Sequence, residues 1–113
     1  MEKITFYKMI LDPRTRKAVP QAATGYQQTY NYYDPSRRDA FEISLVFEKR
    51  AFDWGITEET SGFFVKGNFR TRKEAENSIT PELLKAIAEK LPGLNHYITL
   101  VNIERGKRED LTK

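Results

Sequence analysis

The chain predicts an α+β domain, a mostly antiparallel sheet of five or six strands with two short helices packed on one face, in the order β-β-β-(β)-β-α-α-β. Three observations point there. Strand-like patterning begins at Ile4 and recurs as far as Phe69. Thr71-Arg72-Lys73-Glu74 then has the spacing of a capping box and opens an apolar stripe of Ala75, Ile79, Leu83, Ile87 and Leu91. Finally, His96 to Ile103 is again β-branched and aromatic.

In order, Lys3 to Leu11 sets Ile4, Phe6, Lys8 and Ile10 against Thr5, Tyr7, Met9 and Leu11, apolar on both faces as a core strand is. Asp12 to Gly25 carries two prolines, a glycine and Arg14-Thr15-Arg16-Lys17 without periodicity. It reads as a long connection, and such connections are commonly functional or disordered. Tyr26 to Tyr33 forms a second strand with Tyr26, Tyr30 and Tyr32 on one face, paired with the first as a wide hairpin. Asp34-Pro35-Ser36 makes the next turn. Between Ala40 and Glu48, Phe41, Ile43, Leu45 and Phe47 point inward, while Glu42, Ser44 and Glu48 point to water, with Val46 the exception. Phe52, Trp54 and Ile56 alternate again, as a bulged continuation or as a short returning strand. Phe63 to Phe69 is the next strand, with a bulge at Gly67.

The helices follow at about 72–79 and 81–91. Pro81 breaks the first and restarts the second at N1 behind a Thr80 cap, and Leu91-Pro92-Gly93 ends it. His96 to Ile103 is expected as a central strand, parallel to the Phe63 strand through a right-handed crossover. Residues 1–104 then make one domain, and 105–113, with one apolar side chain in nine, a charged disordered tail.

The absence of cysteine excludes disulfides, thiolate catalysis and Cys-based metal sites. No apolar run is long enough to span a membrane and the N-terminus has no signal-peptide core, so a cytoplasmic location is expected. The net charge is only +3, yet residues 1–50 hold nine basic against six acidic side chains while residues 51–113 hold ten of each. The surface is therefore locally polarised.

Catalysis needs a nucleophile with its base, a paired carboxylate cleft or a metal; the chain has one His, no Cys and no Gly-rich phosphate loop. It reads as a non-enzyme without cofactor or metal. His96 is expected as an ordinary half-buried imidazole, and Asp53, Glu58 and Glu59 as a solvated turn, because they lack the spacing of a calcium loop. The tetrapeptide Arg-Thr-Arg-Lys occurs at 14–17 and again at 70–73. Its second copy opens a helix, where free N–H groups and the dipole favour phosphate. Such charge runs also coat ordinary solvated faces.

Three functions fit. In the first, a small binding module holds nucleic acid or a nucleoprotein through Arg14, Arg16, Lys17, Arg37, Arg38, Arg70, Arg72 and Lys73, with Tyr26, Tyr30, Tyr32 and Tyr33 as stacking candidates. The second is a protein-protein adaptor or inhibitor, of the small-regulator type that phages and mobile elements encode. The third is a homo-oligomeric structural subunit with interfacial aromatic residues. The sequence favours binding over catalysis, and nucleic acid over protein by a narrow margin.

Overall fold

The computed structural model describes residues 1–112, with side chains as far as 108. Five strands, β1 (Glu2–Leu11), β2 (Ala18–Asp34), β3 (Asp39–Lys49), β4 (Trp54–Glu58) and β5 (Phe64–Phe69), pair with their chain neighbours in one open antiparallel sheet. Helices α1 (Arg72–Asn77) and α2 (Pro81–Lys90) follow, then a 3-10 turn (Leu91–Leu94) and α3 (Asn95–Thr112). The α+β class and the antiparallel sheet are those the sequence predicts. Among the described residues no helix is long and apolar enough to cross a membrane.

Both predicted caps are in place. The Thr71 hydroxyl accepts from the Glu74 N–H at 3.1 Å, and the Thr80 hydroxyl from the Leu83 N–H at 3.2 Å with Pro81 at the first helical position. Six residues are too few for a helix to stand alone in water. α1 is held by its buried Ala75, which joins Ile43, Leu45 and Phe47 of β3, Ile56 of β4, and Leu84 and Ile87 of α2 in one core cluster. Each large apolar side chain leaving water there contributes about 1.5–3 kcal/mol. Tyr30, Tyr32, Trp54 and Phe69 close the edges of this seam.

β2 begins earlier than the sequence suggests: Ala18 to Gly25, expected as loop, pairs residue by residue with Leu11 to Ile4, while Tyr26 to Tyr33, expected beside the first strand, pairs along its length with β3. Pro20 is tolerated because pairing with β3 starts only at Tyr26, which leaves the other edge of this half of β2 free. At Gly25 the strand leaves the plane of the sheet. An added Cβ there would lie 2.6 Å from Val46 Cγ1 and 2.8 Å from the Phe47 carbonyl oxygen, so only glycine permits the crossing. β1 is thereby carried over the second face of β3, which is not the wet face expected: Phe6 and Val46 are both fully buried, and Glu48, read as pointing to water, is buried and paired with Lys8 Nζ at 2.9 Å. The Met9 N–H donates to the carbonyl of Gly62 in the β4–β5 turn at 2.9 Å, where Gly62 takes a positive φ of 69°.

The largest correction is at the C-terminal end. His96 to Ile103 is part of α3 and not a central strand, and no parallel crossover forms. A short run apolar on both faces fits a buried helix as well as a strand. Here Leu94, Ile98, Val101 and Arg105 fall on one side at helical spacing, with Val101 fully buried. The Thr99 hydroxyl donates to the Asn95 carbonyl at 3.0 Å, one turn back, which accommodates a β-branched residue in the helix. α3 packs on β1 and β2. It is fastened by Arg105, whose guanidinium donates to the Glu59 carbonyl at 3.2 Å, while the Glu59 carboxylate accepts from Gln27 and Ser44, each at 2.6 Å. α3 runs on to Thr112, through the segment read as a tail; Lys113, its last residue, lies outside the described residues.

Candidate functional site

The seam under α1 opens at one end into a concave surface. Tyr26 and Phe47 are cross-strand partners, as are Phe47 and Ile56, so Tyr26 and Trp54 stand on the face that α1 covers. Their ring centroids are 6.3 Å apart, and the Arg72 guanidinium lies 4.6 Å over the Tyr26 ring. With Thr71, Lys73, Glu76 and Asn77 these residues line an open cleft of about 570 Å³.

Its rim is basic. Lys3 is the β1 partner of Tyr26 and Lys49 the β3 partner of Trp54, which puts both on the cleft's face, and Arg70 follows Phe69, the β5 partner of Trp54. Glu76 lies 4.0 Å from the Arg72 Nε and holds that side chain along the wall. An aromatic pair with a guanidinium laid over one ring and a further cation beside it can stack a planar group, on a ring or on the guanidinium plane, and neutralise an attached anion.

Of the basic residues singled out from the sequence, the fold brings Arg72 and Lys73 into this cleft, and Arg70 precedes them in the chain, between β5 and α1. Arg14, Arg16 and Lys17 lie in the β1–β2 turn and Arg37 and Arg38 in the β2–β3 turn, at opposite ends of the 17 residues of β2. They form no shared footprint with the cleft. The two turns are copies of one design: Asp12-Pro13 and Asp34-Pro35 each cap the N–H two residues after the aspartate, at 2.9 and 3.0 Å, and Arg16 and Arg38 take positive φ of 58° and 51°.

The tyrosines divide as well. Tyr26 lines the cleft, whereas Tyr30 and Tyr32 are half-buried in the core seam, and Tyr33 is exposed on the opposite face. Burial, with the Glu76 carboxylate nearby, pushes the Tyr30 hydroxyl above its ordinary value. The start of α1 is occupied by its own side chains: the Thr71 hydroxyl accepts from the Glu74 N–H, and the Glu74 carboxylate accepts from the Arg70 N–H, one residue before the cap, at 3.0 Å. Any anion held here meets side chains. His96 is exposed on α3, not half-buried at the start of a strand.

The three acidic residues read as a solvated turn separate into three structural roles. Glu58 is buried and accepts from the Ser61 N–H and hydroxyl, both at 2.8 Å. Glu59 fastens α3. Asp53 forms a two-armed pair with Arg50, its Oδ1 accepting from Nε at 2.7 Å, and also accepts from the Asn68 N–H at 2.7 Å. The Arg50 guanidinium and the Asn68 N–H hold the Asp53 carboxyl down at about 2.

Sequence reasoning passed over three residues that the structure places at this end of the sheet: Trp54, Arg50 and Phe52. The alternation of Phe52, Trp54 and Ile56 marks a strand, but its hairpin pairing with β3 is what sets Trp54 beside Tyr26. No protein-family model, no curated protein and no solved structure matches the chain.

Proposed function

We propose that this protein is a cytoplasmic, non-enzymatic binding module that holds nucleic acid in the cleft of Tyr26, Trp54, Arg72 and Lys73. The observation that carries this reading is the Arg72 guanidinium 4.6 Å over the Tyr26 ring with Trp54 alongside. A base stacks on an aromatic face whatever its identity, while Arg and Lys at the rim take the phosphates. Arg72 is already held by Tyr26 and Glu76, so less side-chain freedom is lost when a strand arrives.

Trp54 is the only tryptophan and lines the cleft, so its fluorescence reports occupancy directly. Titration with short DNA and RNA oligonucleotides at several salt concentrations is the test. Three neutralised phosphates, at Arg70, Arg72 and Lys73, give a slope of log affinity against log salt of about −2 for a single strand. Replacing Arg72 and Lys73 together by Ala is expected to weaken binding and to reduce the slope to about −0.7. Unchanged Trp54 emission and no binding at low salt refute the reading.

A further inference from the structure

We infer that Phe52, at the tip of the β3–β4 turn, is a third stacking platform for the same ligand and restricts the site to single-stranded nucleic acid. This rests on the cleft reading above. Phe52 is 101% exposed, with exposed Ala51 beside it, in a turn whose other parts are tied down. Arg50 and Asp53 clamp across it, and the Arg50 N–H donates to the Asp53 carbonyl at 2.8 Å. The guanidinium lies 4.7 Å over the Phe64 ring and fills space that only Gly55 and Gly67 leave open: an added Cβ would come within 3.1 Å and 2.7 Å of it. Asn68, at a positive φ of 66°, donates its N–H to Asp53 and fixes the end of β5 to the same tip.

The turn is thus rigid and internally neutralised, and what it presents to water is a phenyl ring. Phe52 stands two residues before Trp54, on the hairpin that supplies one wall of the cleft, and among the described residues Lys3, Lys49, Arg70 and Lys73 lie toward this end without an ion-pair partner. A polyanion matches that charge. Bases reach an aromatic finger and a recessed aromatic pair only when splayed from their neighbours, as in a single strand; a duplex keeps its base faces inside the stack.

The test compares a fluorescein-labelled single strand with a blunt duplex of the same sequence and with phosphatidylcholine vesicles containing phosphatidylserine. Wild type, Phe52→Ala, Phe52→Leu, Phe52→Trp and the Arg72→Ala/Lys73→Ala double variant are measured, each with its melting temperature. Phe52 makes no core contact, so its variants melt as wild type. The expected result is tighter binding of single strand than of duplex, weakened roughly 5- to 150-fold by Phe52→Ala, equally by Phe52→Leu, and retained by Phe52→Trp. If the double variant loses binding while Phe52→Ala and Phe52→Leu do not, the cleft reading stands and this inference falls. If wild type binds neither oligonucleotide, both fall, and Phe52-dependent vesicle binding would then make the tip a membrane wedge.

Discussion

Gly25→Ala tests the crossing of β2 over β3, on which the placement of β1, Phe6 and α3 depends. The new methyl carbon would stand 2.6 Å from Val46 Cγ1, 2.8 Å from the Phe47 carbonyl oxygen and 3.3 Å from Phe6 Cε1. Ordinary carbon contacts begin near 3.5 Å, so the strands must separate by most of an ångström at a point where one obstacle is backbone and cannot rotate away. Overpacking of this kind costs about 1–3 kcal/mol, and the backbone obstacle places Gly25→Ala in the upper half of that range. At about 4 °C per kcal/mol for a domain of this size, the melting temperature should fall by about 8–12 °C. Urea unfolding followed by Trp54 emission gives the same quantity independently. Gly93→Ala is the control, because nothing lies within 4 Å of its added Cβ. A Gly25→Ala protein as stable as the Gly93→Ala control would refute the crossing.

Other perturbations bear on the turns. The Asp53 carboxyl is lowered from its ordinary 3.8 to about 2, so the clamp's contribution is complete above the ordinary value and is lost as the pH falls through about 2. The melting-temperature gap between wild type and Asp53→Asn should therefore be constant at neutral pH and close in acid; a gap that ignores pH, or widens in acid, counts against the Arg50–Asp53 pair. Arg16→Gly and Arg38→Gly each relieve a positive φ, and after glycine's own entropic cost each should stabilise by about 0.5–1 kcal/mol. Urea midpoints at or below wild type would show that neither turn is strained.

Much of the fold is legible because its determinants are local. The Thr71 and Thr80 caps, Pro81 at a first helical position and the alternation from Phe41 to Phe47 act over a few residues, and each element stands where those residues place it. The start of β2 is not legible, since Ala18 to Gly25 has no alternation of its own and becomes strand by pairing with β1. His96 to Ile103 fails for a related reason. Its β-branched composition is a weak preference, and burial of Val101 against β1 and β2 with the Arg105–Glu59 link overrides it.

The candidate site divides in the same way. Arg70, Arg72, Lys73 and Tyr26 stand out in the sequence as charge and aromatic content, but so do Arg14, Arg37 and Tyr32, and nothing local separates the two groups. Separation comes from register: Tyr26 opposite Phe47, Phe47 opposite Ile56 and Trp54 opposite Phe69 bring distant residues to one end of one face. By itself, then, the sequence determined the α+β class, the helix starts and the residue types available for binding, through caps and periodicities spanning a turn or a strand. Which of those residues meet, and that the last segment is a helix, only the tertiary structure decided, because strand register, the crossing at Gly25 and the burial of Val101 are contacts between segments far apart in the chain.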